Sequence, residues 1–113
     1  MKDKEIIDKM IEYSVKICNY CNDTSFEDFK FNTMLIEACV FNISQIGELA
    51  IKLSPELRDN NKQIAWNKIY GLRNRIVHDY VGINIDIIWQ IISDDIPILS
   101  QELNDIKEYL DED

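Results

Sequence analysis

The only histidine of the chain, His78, lies in a short segment that also holds two of its three arginines, Arg73 and Arg75. Asn74 precedes His78 by four residues, so on an α-helix the two side chains lie one turn apart on the same face. The amide could therefore hold the imidazole in one orientation and one tautomer, as acid–base chemistry requires. An imidazole exchanges a proton near neutral pH, with an ordinary pKa of about 6.5, whereas a guanidinium keeps its charge. The segment thus combines a proton carrier with fixed positive charge.

These residue types suit the cleavage of a phosphodiester bond. A base removes the proton of the attacking hydroxyl, an acid protonates the leaving oxygen, and a guanidinium holds the phosphate oxygens. One histidine cannot easily make both proton transfers, and Arg73 and His78 point about 140° apart on one helix. Two copies of the helix, related by a two-fold axis, could supply both groups. A histidine near a helix C-terminus can instead offset the helix dipole and cap carbonyl groups, and on the segment alone this explanation stays open.

Arg75 is the other cation of the segment, and two roles are open to it. Because it precedes Asp79 by four residues, we expect an exposed ion pair between them, worth about 0.3 kcal/mol. Arg75 is also a candidate for phosphate binding, in support of the candidate catalytic residues Arg73 and His78.

Positive charge is concentrated around this segment. The whole chain has a net charge of −9, but residues 52–78 hold six Lys and Arg against two Asp and Glu, a local charge of +4. The rest of the chain therefore carries −13. A basic face on an acidic body fits a specific phosphate site better than general coating of nucleic acid. The single lysines could also be ordinary solvated side chains, and the acidic part could bind a basic partner.

Apolar residues recur at spacings of three and four along most of the chain, which predicts helices. A hydrophobic fraction of 46% with only three glycines and two prolines is typical of a helical domain. We expect one domain, residues 1–113, that folds as an all-α antiparallel bundle of four to five helices and dimerises. The predicted helices span residues 3–21 and 32–53, a short turn after Pro55, a motif helix from about Ile64 that ends at Gly82, and a C-terminal stretch.

Several residues should fix the ends and contacts of these helices. Asp3 is expected to be the N-cap of the first helix and Ser25 the cap of the next. Gly47 and Gly71 should each permit close approach of two helix backbones, since glycine is unfavourable inside a helix. Pro97 should split the C-terminal stretch into two helices joined at an angle. Glu48 could be solvated, paired with another helix, or directed at the active-site cleft.

Side chains with possible chemistry outside the segment are expected to be structural. Phe26, Phe29 and Phe31 should be core anchors rather than a platform for stacked bases, and Val77 should line the core face of the motif helix. The three cysteines, Cys18, Cys21 and Cys39, should be buried, reduced thiols rather than a metal or redox site.

Some classes of protein are excluded by what the sequence lacks. We see no apolar run of the ~18 residues that a membrane span needs, and no leader with a cleavage site, so a soluble cytoplasmic protein without membrane contact is expected. One histidine cannot furnish a usual metal site, and the glycine patterns of P-loop and dinucleotide sites are absent. We therefore expect neither a metal nor a cofactor.

The segment Arg73–Tyr80 matches the R-x-x-x-x-H-x-Y signature, and in this respect the chain resembles the HEPN superfamily. It resembles most closely the HepT branch, the toxin half of HepT/MntA toxin–antitoxin pairs. The similarity extends over nearly the whole chain. It includes Ile46-Gly47-Glu48, the run from Trp66 to Asn74, and the C-terminal segment from Trp89 to Leu99.

This resemblance implies a small all-α homodimer that acts as a metal-independent ribonuclease. Arg73 and His78 of both protomers would line a shared cleft and be catalytic on RNA, with Asn74 and Arg75 in support. The partner would be an MntA-like nucleotidyltransferase antitoxin that silences the toxin by transferring AMP to Tyr80. Added negative charge and bulk beside an anion-binding cleft would repel RNA.

Two other functions stay open on the sequence. The chain could be a non-catalytic nucleotide-binding or substrate subunit of a nucleotidyltransferase, in which the motif only presents Tyr80. It could also be a purely structural helical dimer, in which both Arg73 and His78 would be freely replaceable. Only the ribonuclease needs His78 as an acid or base.

Overall fold

The computed structural model describes residues 2–81 and 84–111, apart from the side chains of Asp79 and Val81, and this part of the chain is all-α. The helices are α1 Asp3–Cys21, α2 Phe26–Phe29, α3 Thr33–Ile51, α4 Pro55–Asp59, α5 Trp66–Tyr70, α6 Leu72–Val81, α7 Ile85–Gln90, a π-helical segment Ile91–Asp95, and α8 Ile96–Asp111. The predicted end of the motif helix at Gly82 falls outside the described residues.

Four helical rods form the bundle: α1, α3, α5 with α6, and α7 with the π-helical segment and α8. Helix α1 packs against α3 and α8, α3 packs against α5 and α6, and α6 packs against α7. The core between them is largely aliphatic; its fully buried side chains include Ile6, Ile7, Ile43, Ile46, Ile76, Ile88, Ile91 and Leu103. The predicted all-α bundle is confirmed.

Short polar side chains begin several helices. The hydroxyl of Ser25 accepts a hydrogen bond from the backbone amide of Asp28 at 3.1 Å, and Ser54 does the same for α4. The prediction that Asp3 is an N-cap is wrong, because Lys2 holds that position. The carboxylate of Asp3 instead accepts a hydrogen bond from the backbone amide of Ser54 at 2.9 Å, and so ties the start of α1 to the start of α4.

Gly47 lies where α3 packs against the start of α6. A β-carbon added there would lie 3.1 Å from the backbone nitrogen of Arg73 and 3.3 Å from the carbonyl oxygen of Ile69. At Gly71 the nearest atom, the carbonyl oxygen of Asn67, would be 3.6 Å away, which is an ordinary contact. The predicted close approach is therefore confirmed at Gly47 and wrong at Gly71, which only joins α5 to α6.

The C-terminal rod is not split in the way that Pro97 suggests. Its helical backbone continues through the π-helical segment, where the amide of Ile96 donates to the carbonyl of Ile91, five residues earlier. A π-helical turn absorbs an irregularity within a helix, and here it directly precedes the proline, which lacks an amide to donate. The predicted break between two helices is replaced by this wider turn.

Three residues expected in the core lie at the surface. Phe29 is buried and its ring lies 4.8 Å from that of Trp89, but Phe31 is 80% exposed and Val77 is 46% exposed. Cys18 is exposed as well. Helical spacing alone does not give the width of the buried stripe, which depends on how closely the neighbouring helices approach.

Cys21 contacts Cys39 rather than Cys18. The sulfurs of Cys21 and Cys39 are 3.6 Å apart, and Cys39 is buried. The hydrogen bond with Cys21, and then burial, raise the pKa of Cys39. The C-x-x-C spacing is thus not the contact that the fold uses.

Helix α3 corrects the expectation that the chain has no apolar run long enough to span a membrane. It has 19 residues and a mean hydropathy of 1.4, so by length and composition it could cross a membrane. In the bundle, 44% of its apolar window is buried, and it packs against α1, α5 and α6. Its apolar character therefore reflects these contacts only in part, since apolar side chains such as Phe41 are exposed.

Gly47→Ala and Gly71→Ala introduce the same methyl group in two different environments. At Gly47 the added carbon presses against backbone atoms that cannot rotate away. Overpacking of this kind costs about 1–3 kcal/mol, so we expect the free energy of unfolding of Gly47→Ala to lie that far below that of Gly71→Ala. Urea denaturation of both variants measures the difference. Equal stabilities would contradict a tight contact between α3 and α6.

Candidate active site

Helix α6 presents the motif as an exposed ridge. Leu72 and Ile76 are buried and hold the helix on the bundle, whereas Asn74 and His78 are exposed on the opposite side. Asn74 and His78 therefore share a face, as their spacing predicts, and the imidazole lies at the surface. The hydrogen bond expected between them stays a prediction.

Arg73 lies on the flank of the ridge that faces α3. Its Nε is 2.8 Å from a carboxylate oxygen of Glu48, the neighbour of Gly47. Both side chains are about half exposed, so this pair contributes only about 0–1 kcal/mol to stability. Its effect is geometric: the carboxylate of Glu48, at Nε, holds the guanidinium on this flank of the ridge. Of the roles left open for Glu48, the pairing with another helix is confirmed.

Arg75 lies on the other flank, beside the π-helical segment. Its Nη1 is 3.7 Å from one carboxylate oxygen of Asp95, and the amine of Lys68 is 3.0 Å from the other. The predicted ion pair with Asp79 lies outside the described side chains. Asp95 therefore joins two cations of the basic segment, residues 52–78. The separation of these residues in sequence does not indicate this contact.

Tyr80 is anchored to α3 as well. Its hydroxyl donates a hydrogen bond to a carboxylate oxygen of Glu37 at 3.2 Å. Partial burial, followed by the charge of Glu37 and this hydrogen bond, raises the pKa of Tyr80. The phenol is therefore neutral at physiological pH. Glu37 is a site residue that the sequence did not reveal, although it lies eleven residues before Glu48 and so on the same face of α3.

The motif projects outward from the bundle. Four surface cavities of the described chain are lined by other side chains than Arg73, Asn74 and His78. Arg73 and His78 also differ in direction by about 140° on their helix. A second surface facing the ridge would be needed to enclose a ligand between them.

The ridge of α6 carries an exposed imidazole and, on its two flanks, two guanidinium groups, which are residue types suited to acid–base chemistry on a phosphodiester. The comparisons with known proteins agree with this class of chemistry. Residues 10–106 match the family described as "Ribonuclease HepT-like". The chain belongs to this family of ribonucleases, as its resemblance to HepT proteins predicts, and RNA is the substrate that the family implies.

Related proteins carry names of the same kind. A candidate RNase of Caldanaerobacter subterraneus subsp. tengcongensis is 37% identical over 82 residues, which cover 73% of each chain. A candidate RNase of Methanocaldococcus jannaschii is 30% identical over 99 residues, 88% of this chain and 77% of that protein. A protein of Thermococcus cleftensis named "Probable ribonuclease HepT" is 23% identical over 103 residues, 91% of this chain and 87% of the other. No solved structure gives a significant match.

Replacing Glu37 tests the environment of Tyr80. Glu37→Gln removes the charge that disfavours the phenolate, so we expect the pKa of Tyr80 to fall towards the ordinary value of tyrosine. An NMR titration of the ring carbons measures the change. Glu12→Gln, an equal loss of charge on α1, should leave the titration of Tyr80 unaltered. An unchanged pKa in Glu37→Gln would contradict the contact.

Proposed function

We propose that this ribonuclease is the toxin of a toxin–antitoxin pair and cuts RNA in a composite site between two copies of the chain. The observation that carries the proposal is the exposed ridge of α6, with His78 on its crest and Arg73 held on its flank by Glu48. Such a ridge becomes a cleft when a second ridge faces it. A homodimer with a two-fold axis would then bring an imidazole and a guanidinium from each protomer to one phosphate.

In this site the two histidines divide the proton transfers. One imidazole removes the proton of a ribose 2′-hydroxyl, and the 2′-oxygen forms a bond to the adjacent phosphorus. The bond from phosphorus to the 5′-oxygen breaks, and the second imidazole, in its protonated form, gives its proton to that oxygen. Arg73 binds the equatorial oxygens, where negative charge develops. Asn74 orients His78, and Arg75 supports phosphate binding.

Exposed apolar side chains support the dimer. Val77 follows Arg73 by one turn on the flank of α6 that faces α3, and it is 46% exposed. Phe41 is 57% exposed and lies on α3 between Glu37 and Glu48. These apolar groups lie among the polar contacts of the candidate site, where a second copy of the chain could cover them.

Tyr80 is the proposed point of control. It follows Arg73 by seven residues, so on the helix the two side chains lie within about 20° and about 10 Å of each other. Transfer of AMP from ATP to its hydroxyl by an MntA-like nucleotidyltransferase antitoxin, with release of pyrophosphate and of the phenolic proton, would place a phosphate near the guanidinium. That phosphate would compete with RNA and repel its backbone. The reaction is proposed to occur in the cytoplasm.

His78→Ala tests the enzymatic role directly. Loss of a general acid or base lowers the rate by about 10²–10⁴-fold, and we expect at least the lower figure for RNA cleavage in the absence of metal. Arg73→Ala should lower the rate by about 10²–10³-fold, as removal of an oxyanion donor does. The control is Lys107→Ala. It removes a cation of α8 that forms an exposed pair with Asp8 of α1.

Two outcomes separate the ribonuclease from its alternatives. A His78→Ala protein that no longer cuts RNA but still accepts AMP supports the catalytic role. A His78→Ala protein that cuts RNA as well as wild type would leave the non-catalytic subunit as the better function. Sedimentation equilibrium tests the dimer, and a monomer at working concentration would contradict the composite site.

Tyr80→Phe separates control from catalysis. The variant keeps the aromatic ring but lacks the oxygen that would accept AMP. We expect it to cut RNA at a rate close to wild type and to resist silencing by the antitoxin with ATP, which intact mass spectrometry and the cleavage assay measure together. Tyr109→Phe, at an exposed tyrosine of α8, should be silenced normally. Silencing of Tyr80→Phe would show that another residue is modified.

A further inference from the structure

A basic groove lies between the α4 region and α5, outside the motif. It is open to solvent and has a volume of about 590 Å³. Three cations line it, Arg58, Lys62 and Lys68, with Asp59 as the one acidic residue among its lining side chains. The groove thus has a local charge of +2 in a chain whose net charge is −9. A concave surface lined by one sign of charge concentrates the electric field and attracts anions.

Arg58 is the most informative of these cations. It is half-buried, and no carboxylate pairs with it within residues 2–81 and 84–111. Its Nη1 instead donates a hydrogen bond to the hydroxyl of Tyr70 at 3.0 Å, and its Cζ lies 5.6 Å from the centre of that ring. A half-buried guanidinium usually has an anionic partner, because partial loss of water penalises a charge. Arg58 is therefore a cation held by Tyr70 and paired with no carboxylate of the described residues.

The two lysines differ in their surroundings. Lys68 already contacts Asp95 at 3.0 Å, whereas Lys62 is exposed and has no carboxylate partner in the described part of the chain. The unbalanced positive charge of the groove therefore comes chiefly from Arg58 and Lys62. These are the groups that an incoming anion would meet.

The aromatic residues of the groove restrict the kind of ligand. The ring of Tyr70 has Trp66 stacked beside it at 6.4 Å, and Arg58 lies over it. Trp66 itself is buried, and its indole nitrogen donates to the carbonyl of Asn61. Both rings are thus already in contact with side chains of the protein itself. The groove therefore fits the phosphates of a strand better than its bases.

The groove leads to the proposed active site. The amide of Arg75 donates to the carbonyl of Gly71 at 2.9 Å, and the amide of Gly71 donates to Asn67, so helical bonding continues from α5 into α6. Tyr70, which lines the groove, precedes Arg73 by only three residues, across the junction at Gly71. A strand held at the proposed active site would thus reach the groove with a neighbouring phosphate.

We propose that this groove is a subsite for RNA, in which Arg58 and Lys62 bind a backbone phosphate beside the scissile one. The proposal rests on the proposed function, because it takes the ridge of α6 as the place of cleavage. Contacts to phosphate position a strand without reading its sequence. The subsite therefore contributes to the affinity for RNA and to the alignment of the strand. Arg73 and His78 carry out the chemical step.

Binding of an RNA oligonucleotide with 2′-O-methyl riboses, which cannot be cut, tests the subsite. Fluorescence anisotropy at several salt concentrations gives the affinity and its salt dependence. Each phosphate neutralised on a single strand adds about 0.7 to the slope of log affinity against log salt. We expect Lys62→Ala and Arg58→Gln each to weaken binding and to lower the slope by a part of this amount, because the two cations share one phosphate, and the double variant to lower it by about 0.7. Lys107→Ala, with the same loss of charge on α8, should leave the slope unchanged.

Kinetics on cleavable RNA supply the second readout. Both groove variants should raise KM and leave kcat near the wild-type value, because the chemical step is untouched. Lys62 is exposed and pairs with no carboxylate of residues 2–81 and 84–111, so Lys62→Ala keeps the test valid even if Arg58→Gln disturbs packing on Tyr70. An unaltered salt slope in Lys62→Ala, or a loss of kcat without a change in KM, would overturn the subsite.

Failure of the subsite can be told apart from failure of the proposed function. If His78→Ala still cuts RNA while the groove variants lose affinity, the catalytic assignment is wrong and the groove remains an RNA site. If His78→Ala is inactive while the groove variants bind RNA as the Lys107→Ala control does, only the subsite is wrong.

Discussion

The close contact between α3 and the start of α6 is the constraint on which the candidate site depends. A β-carbon added at Gly47 would lie only 3.1 Å from the backbone nitrogen of Arg73, so the absence of a side chain there lets α3 pack closely against the start of α6. This proximity brings the carboxylate of Glu48 to Arg73, and the same face of α3 carries Glu37 to Tyr80. One helix therefore fixes both ends of the motif. A change in the packing of α3 would move the guanidinium and the phenol together.

The ion pairs of this region act mainly by holding side chains in place and by shaping the local electric field. They are half-exposed, so each adds little to stability, which comes from the aliphatic core. Glu48 and Asp95 each restrain an arginine on one flank of the ridge, whereas Arg58 and Lys62 stay without carboxylates in the described chain. In the proposed function these cations would attract the phosphates of RNA, and the acidic remainder of the chain would repel them.

The sequence predicted the site better in its residue types than in its contacts. The spacing of Asn74 and His78 placed them on one exposed face, because that relation depends on the helix alone. Glu48, Glu37 and Asp95 could not be matched with their partners, since each contact joins different helices. The only signal for Arg58 in the sequence was its place among the basic residues 52–78. That no carboxylate of the described chain pairs with it is visible only when its neighbours in the fold are known.

The sequence by itself determined the all-α class, most of the helices, the family and the candidate catalytic residues, because these follow from local periodicity and from motifs in order. Tertiary structure decided what periodicity leaves open: Phe31 and Val77 lie at the surface, Gly71 is not a close contact, and the C-terminal rod continues through a π-helical segment. The physical reason is the same in each case. Helical spacing gives the direction of a side chain from its own axis, but the distance and rotation of the neighbouring helix decide whether that direction meets solvent, backbone or a charged partner.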